Sequence, residues 1–342
     1  MKRIQPIRNC GKFVCLDGTQ HDWFIPICKT LLHSIKVCLV NHTIKKDVLK
    51  RFVQKPSFNN VSYEPNISWL GHSTFLIQIG GKNILTDPIF GSLSFVFRRL
   101  IPSVVKAKHL PRIDYVLISH NHFDHMDSKT LQDIKKHSPD VKVLAPMGDK
   151  SWFDRHGFKD ASEHMWWDEF VDADIKDLKF TFLPANHWSQ RTLFDKNKSL
   201  WGSWMIQLAD YKIYFAGDTS WGHHFEAIGK EFGSIDVACM PIAPGEPKSW
   251  IKESHIDAEE AVKAFVLLRA KKFIPMHWGT FQLGFDDFYA PLKLLQKTWN
   301  SLKKELQGKE LKVMKFGELF ADTSLQIIAA VKSIQKDFSA KV

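Results

Sequence analysis

From Ile67 onward, apolar residues alternate with polar ones or run in short unbroken groups. Ile67–Leu70, Thr74–Ile79 and Asn83–Thr86 read as three strands, the last two joined by a Gly80-Gly81-Lys82 hairpin turn. Val141–Ala145, Lys179–Leu183, Trp201–Leu208 and Lys212–Ala216 read as further strands. Helical spacing falls between and after them: Ser128–His137 with Ser128 as its cap, Asp149–His156, Phe225–Phe232, Ala258–Arg269 and Tyr289–Leu306. Strands interleaved with helices predict an α/β or α+β chain.

Residues 1–61 read differently. Phe24, Cys28, Leu31, Leu32, Ile35, Cys38 and Leu39 form the apolar stripe of a helix, with Lys29, His33 and Lys36 on its other faces. Such a stripe packs on a domain or lies on a membrane surface. No low-complexity linker divides 62–322. The expected organisation is an amino-terminal extension over 1–61 with an amphipathic helix, one domain over 62–322, and a helical or flexible tail over 323–342.

The chemistry sits at strand ends. Tyr115-Val116-Leu117-Ile118 runs directly into Ser119-His120-Asn121-His122-Phe123-Asp124-His125. Three imidazoles and a carboxylate within six residues make a metal-ligand composition. A strand ending in a short loop can splay His120 and His122 toward one metal and turn Asp124 and His125 toward a second. Three later strand ends supply the remaining ligands: His187 after Phe180–Leu183, Asp218 after Tyr214–Ala216, and His277 after Phe273–Met276. The expected set is His120, His122 and His187 on one metal, Asp124, His125 and His277 on the other, and Asp218 between them.

With these motifs the chain resembles the metallo-β-lactamase superfamily and, more narrowly, the N-acyl-phosphatidylethanolamine-hydrolysing phospholipase D family. Segments carrying the narrower likeness include Trp69-Leu70-Gly71-His72-Ser73-Thr74, Leu85-Thr86-Asp87-Pro88, Gln190-Arg191-Thr192-Leu193, Leu200-Trp201-Gly202-Ser203-Trp204 and Met276-His277-Trp278-Gly279-Thr280-Phe281. The resemblance implies an α/β fold of αββα type, two mixed sheets flanked by helices. It also implies two zinc ions, and attack by hydroxide formed on the metals upon the phosphorus of an N-acyl-phosphatidylethanolamine, giving N-acylethanolamine and phosphatidic acid. Asp218, Asp124 and His255 are then expected to carry the catalysis. His255, in His255-Ile256-Asp257-Ala258-Glu259-Glu260, is expected to protonate the leaving group or grip the phosphate; its other reading is a helix-start residue. Asp87 is expected to orient a metal-binding histidine or form a turn. His72 is expected to line the site or cap its loop, and Asp257, Glu259 and Glu260 to be first-turn helix acids. The chain departs from the animal members between Gly91 and Lys108, where Leu93-Ser94-Phe95-Val96-Phe97-Arg98-Arg99 replaces a Gln-Tyr-Met-Gly-Pro-Lys-Arg stretch. It also lacks an aromatic before Glu246-Pro247.

Composition narrows this further. The 342 residues include 26 Phe and 12 Trp, and many Trp flank the ligand motifs. They either fill space beneath the metal loops or line an acyl groove. A net charge of +10 suits an anionic partner. The expected partner is a phospholipid at an anionic membrane surface; no nucleic acid is expected, and a homodimer stays open. Five cysteines without pair spacing argue against a disulfide framework, although four lie in the first 40 residues. No apolar run is long enough to span a bilayer and no signal peptide stands out, so a cytoplasmic location with peripheral membrane association is expected. Competing readings keep the metal scaffold but change its use: another phosphodiester or a sugar-phosphate lactone as substrate, or a zinc-stabilised membrane adaptor without turnover.

Overall fold

The computed structural model describes residues 3–16, 18, 46–94 and 97–322. The amphipathic stretch Phe24–Leu39, with Lys29 and Lys36, and the tail over 323–342 lie outside the described residues. An antiparallel pair, β1 (Arg8–Asn9) and β2 (Lys12–Phe13), comes first. Helix α1 (Lys46–Phe52) follows, then β3 (Asn66–Gly71), β4 (Thr74–Ile79), β5 (Lys82–Thr86), β6 (Tyr115–Leu117), α2 (Ser128–His137), β7 (Lys142–Pro146), α3 (Lys150–Arg155) and β8 (Asp160–His164). The second half runs β9 (Glu169–Val171), β10 (Leu178–Leu183), β11 (Ser203–Leu208), β12 (Tyr211–Phe215), α4 (His224–Phe232), β13 (Ile235–Pro241), α5 (Lys248–Ile251), α6 (Ala258–Leu267), β14 (Ala270–Met276), α7 (Ala290–Ser301), β15 (Glu310–Leu311) and β16 (Leu319–Ala321).

These strands form two seven-stranded mixed sheets, β16-β3-β4-β5-β6-β7-β8 and β15-β14-β13-β12-β11-β10-β9. In each, one part is antiparallel and the other parallel. The local chemistry sets this division. Gly80 and Gly81, at φ +59° and +83°, close the tight β4–β5 turn with a backbone that glycine adopts at no steric cost. Parallel neighbours need crossovers; α2, α3, α4, α6 and α7 supply them for all pairs but β5–β6, which are joined by the long segment between Thr86 and Tyr115.

The period-two pattern becomes two faces. Strand β4 sends Phe75, Ile77 and Ile79 between the sheets and Leu76 outward; β6 splits Tyr115 and Leu117 from Val116 and Ile118 in the same way. Trp69, Phe182 and Trp204 join the layer between the sheets. Leu131 and Ile134 of α2 and Phe153 of α3 cover the outer face of the first sheet. On the far side Phe265 of α6 packs edge-on against Phe273 of β14, ring centroids 5.3 Å apart. The layers are therefore α/β/β/α. Phe13 is also fully buried in the central core, so part of the amino-terminal segment is built into the body.

Three local expectations change. Asp127, not Ser128, caps α2: its Oδ2 accepts from the Thr130 N–H at 3.0 Å, and a carboxylate one residue earlier reaches that orphan donor. Strand β11 starts at Ser203, two residues late, because the Trp201-Gly202 backbone is drawn elsewhere. Gly202 N donates to Ser119 O at 2.9 Å, and a Cβ there would come within 2.5 Å of Leu183 O. The last long helix is shorter than its pattern, spanning Ala290–Ser301.

Candidate metal centre

Every expected ligand leaves the carboxyl end of a strand, and the fold brings those ends together. The 120–125 loop follows β6, His187 follows β10, Asp218 follows β12 and His277 follows β14. Glycine makes one approach possible: Gly217, at φ +60°, precedes Asp218, and a Cβ there would lie 2.6 Å from the Ser119 Cβ. His72, Asp87 and His277 hold positive φ of +54°, +32° and +63° without being glycine. Such backbone strain persists where the surroundings over-determine it, and here it clusters at one site.

The donors fall into two groups. In the first, His122 Nδ1 lies 2.9 Å from His120 Nε2 and 3.3 Å from His187 Nε2. In the second, His72, Asp124, His125 and His277 converge. Asp218 Oδ2 sits between them, 3.2 Å from both His125 Nε2 and His277 Nε2 and 3.9 Å from His187 Nε2.

The tautomers follow from acceptors that cannot donate. His187 Nδ1 donates to Ser254 O and His277 Nδ1 to Ala243 O, each at 2.8 Å. His125 Nδ1 donates to Asp87 Oδ2 at 2.7 Å. Ser119 Oγ spends its proton on Asp87 Oδ2 at 2.5 Å, so it accepts from His120 Nδ1 at 2.9 Å. All four rings thus turn Nε2 into the site. Asp87 Oδ2 receives both the His125 ring and the Ser119 hydroxyl, the arrangement that the orienting role requires.

Buried polar atoms test whether a metal fits. His125 Nε2, His277 Nε2 and Asp218 Oδ1 are buried without a hydrogen-bond partner. Orphaned groups of this kind are costly unless something satisfies them. Neutral imidazole nitrogens and carboxylate oxygens are the donor set of a metal, and a cation among them satisfies all at once. The residues present fit a metal.

Electrostatics divides the two groups. Burial holds His122 down at about 4 and His187 at about 3, and pushes His120 well below its ordinary value. For His277 burial opposes protonation, but Asp218 and Asp124 outweigh it and hold the ring up at about 9. His125 is likewise raised well above its ordinary value: burial opposes, and Asp218 and Asp124 prevail. Two buried carboxylates thus draw protons onto the nearest rings when no cation is there to balance them.

The remaining expected residues also reach the centre. His72 lines it: its Nε2 meets Asp124 Oδ2 at 2.9 Å, and its backbone N donates to Thr280 Oγ1 at 2.6 Å. His255 faces it, with Nδ1 3.6 Å from Asp218 Oδ2. The helix-start role belongs to Asp257, whose Oδ1 accepts from Glu259 N and Glu260 N within a capping box.

Sequence reasoning missed two supports. Ser119 was read only as part of the motif, yet it ties Asp87 to His120. Arg191 carried no role, yet its guanidinium donates to Asn121 O at 3.0 Å, Met126 O at 2.8 Å and Ser128 Oγ at 3.0 Å, clamping both ends of the ligand loop. Its only signal was the Gln190-Arg191-Thr192-Leu193 segment.

A cleft of ≈ 710 Å³ opens onto the centre, reaching His122, Asp124, Asp218 and His255. Its walls are largely apolar, with Phe97, Trp188, Leu193, Trp250, Ile251 and Leu283. The tryptophans therefore divide between both readings: Trp201, Trp204 and Trp278 are buried core, while Trp188 and Trp250 line the cleft. Both segments that depart from the animal enzymes reach it, through Leu93, Ser94, Phe97 and Pro244.

This fold and this ligand set define a metal-dependent hydrolase. A model of the beta-lactamase superfamily domain matches residues 82–278. N-acyl-phosphatidylethanolamine-hydrolyzing phospholipase D 1 of Caenorhabditis elegans is 32% identical over 266 residues, 74% of this chain and 74% of its own length. The mitochondrial N-acyl-phosphatidylethanolamine-hydrolyzing phospholipase D of Saccharomyces cerevisiae is 32% identical over 256 residues, 71% of this chain and 54% of its own length. A metallo hydrolase from the archaeon Ignicoccus hospitalis shares the fold, with TM-score 0.59 and 24% identity over 75% of this chain and 97% of that one. The chain belongs to the beta-lactamase superfamily and, within it, to the family of the N-acyl-phosphatidylethanolamine-hydrolysing phospholipases D.

Proposed function

We propose that the protein is a zinc-dependent phosphodiesterase of phospholipase D type, cleaving N-acyl-phosphatidylethanolamine-like lipids to N-acylethanolamine and phosphatidic acid. The observation that carries this reading is a large apolar cleft that ends on a two-part ligand set. His120, His122 and His187 would hold one ion, Asp124, His125 and His277 the other, and Asp218 would serve both. When bound, such ions acidify water near neutral pH and neutralise charge on a phosphoryl oxygen.

The chain's own residues supply the rest. Asp218, held well below its ordinary value by His125 and His277 against the effect of burial, stays ionised and keeps negative charge at the centre. Asp87, Ser254 and Ala243 fix the rings of His125, His187 and His277, so no reorientation is needed during turnover. His255 is pushed down to about 3, chiefly by burial, so at neutral pH its ring is uncharged. A neutral imidazole in that place grips a phosphate oxygen through its N–H, and of the two roles expected of it this one fits better than proton donation. Trp188, Trp250 and Leu283 offer acyl chains an apolar wall and keep bulk water from the reacting phosphate.

The lipid surface on which this occurs is part of the same proposal. No helix among the described residues is long and apolar enough to cross a membrane. A phospholipid hydrolysis screen with product mass analysis tests the function. Release of N-acylethanolamine with phosphatidic acid supports it; cleavage only of soluble phosphodiesters or lactones replaces it with one of the competing hydrolase readings. A protein that loses stability on chelation but turns over no substrate when loaded would be the adaptor.

A further inference from the structure

The loop that carries His187 has little structure of its own. The chain from Pro184 to Gly202, between β10 and β11, forms no strand or helix. A ligand on such a loop keeps its place only if other segments hold the loop. Residues 3–16 do so, and they lie outside the 82–278 stretch that the superfamily model matches.

Two bonds from this segment land on the expected ligand and its neighbour. Cys15 Sγ donates to His187 O at 3.4 Å, and Leu16 N donates to Asn186 Oδ1 at 3.1 Å. Asn186 is a hub. Its N donates to Thr219 Oγ1 at 3.0 Å, its Nδ2 donates to Ser220 Oγ at 2.7 Å, and its O accepts from Ser220 N at 2.7 Å. It therefore ties the His187 loop to the loop that carries Asp218, and Leu16 satisfies its side-chain oxygen. Phe13 N donates to Asn197 O at 2.8 Å, and Asn197 is bonded to Ser189 in both directions. The segment is itself anchored. The Phe13 ring is fully buried and edge-on to Trp201. Trp167 Nε1 donates to Ile4 O at 2.6 Å, and Arg3 Nη2 pairs with Glu231 at 2.6 Å.

We propose that residues 3–16 are a positioning strap for the metal centre. Through Phe13, Cys15 and Leu16 they fix the backbone that carries His187, and so set the geometry of the His120–His122–His187 half. Ser254 O holds the His187 ring, and the strap holds its main chain. A loop free to shift by about 1 Å would still present the imidazole, but not at the distance that a shared ion with His120 and His122 needs. None of these bonds reaches Asp124, His125 or His277, so the other half depends on the strap far less. This assignment rests on reading His187 as a metal ligand.

The test is a two-step calorimetric zinc titration of the full chain, with His187→Ala identifying the step that belongs to the His187 half. Phe13→Ala should lower affinity in that step by about tenfold or more, the usual result of losing support behind a ligand, and change the other step far less. Hydrogen exchange at the Ser189 and Asn197 amides should speed up with it. Phe13→Leu, which keeps an apolar anchor, should lie between Phe13→Ala and the parent. Equal weakening of both steps overturns the proposal. So does a lower unfolding temperature with both steps intact, since the segment would then serve stability alone. If Phe13→Ala does not fold, a pair at Cys15 carries the same test. Cys15→Ala should weaken the His187 step, and Cys15→Ser, whose hydroxyl still donates, should weaken it less; parent-like titration of both overturns the strap. A His187→Ala variant that titrates like the parent removes His187 from the ligand set and the strap's role with it. An intact His187 step in the strap variants removes the strap alone.

Discussion

The two halves of the candidate metal centre are both built on histidines but differ in their carboxylates, and they behave differently. Around His120, His122 and His187 burial dominates: His122 is held down at about 4, His187 at about 3, and His120 well below its ordinary value. Around His125 and His277 the carboxylates of Asp124 and Asp218 dominate, and the rings are held up, His277 at about 9. One half is a cage of neutral nitrogens ready for a cation. The other is a charged cluster in which protons stand in for the cation. The carboxylates distinguish them: Asp124 belongs to one half, and Asp218 lies nearer to it, 3.2 Å from His125 and His277 against 3.9 Å from His187.

Asp218 is shared by both halves, so its loss should be felt most. Asp218→Asn leaves the raised rings facing an amide, and losing the carboxylate that both halves share should lower turnover by about a hundredfold or more. Steady-state kinetics with metal analysis checks this. Near-normal activity with full metal content would show that the halves do not depend on a common carboxylate.

Asp87 supports the charged half through His125. Asp87→Ala should lower metal affinity there by up to about a hundredfold. Ser119 Oγ still faces His120 in that variant, so the cage of neutral nitrogens should suffer less. A two-step metal titration separates the halves, and equal weakening of both steps would erase the distinction between them.

Much of this centre was legible in the chain. Candidate ligands at strand ends follow directly from apolar runs that stop at His or Asp, and the structure brings those seven positions together. The two-sheet fold was legible from the same alternation together with the family likeness. What was not legible depends on contacts between remote segments. Arg191 lies 65 and 70 positions from the carbonyls it grips, and His72 lies 52 from Asp124. The fixing of His187 and His277 by the Ser254 and Ala243 carbonyls involves backbone atoms, which no residue type announces. Cap and strand boundaries slipped by one or two residues because a neighbouring carboxylate or a crowded glycine decided them.

His255 touches the centre from the cleft side, outside both sets of expected ligands. His255→Ala should reduce turnover about tenfold or somewhat more, the loss of one hydrogen bond to a charged oxygen, with little change in metal content. A parallel loss of metal would make it a ligand of the charged half.

The halves should also part with pH. His277 and His125 must release protons before a cation can bind, so affinity in their half should climb with pH, about tenfold per unit for each proton displaced, the His277 contribution levelling off near its value of about 9. In the imidazole cage burial holds the rings low, so they are already neutral at neutral pH and affinity there should be flat across that range. Calorimetric titration in buffers of different ionisation enthalpy counts the protons released. Equal proton release from both sites would contradict the comparison.

Arg191 clamps the loop that feeds both halves, so its loss should weaken them together and modestly. Arg191→Ala should lower stability by about 2–3 kcal/mol. Turnover should fall several-fold, with Arg191→Lys only a partial rescue, because an ammonium lacks the planar fork that holds two carbonyls through one nitrogen and the Ser128 hydroxyl through the other. Thermal unfolding beside a metal titration reads this, and a selective effect on one half would place the clamp differently.

The central claim is that these paired halves direct water to the phosphorus of a membrane lipid. It is tested most directly by running the metal-loaded protein on N-acyl-phosphatidylethanolamine vesicles in ¹⁸O-labelled water and weighing the products. The account predicts phosphatidic acid carrying one ¹⁸O on phosphorus, unlabelled N-acylethanolamine, and neither product from Asp218→Asn. Diacylglycerol with a phosphorylated N-acylethanolamine, a lysolipid with free fatty acid, or label in the N-acylethanolamine would contradict it.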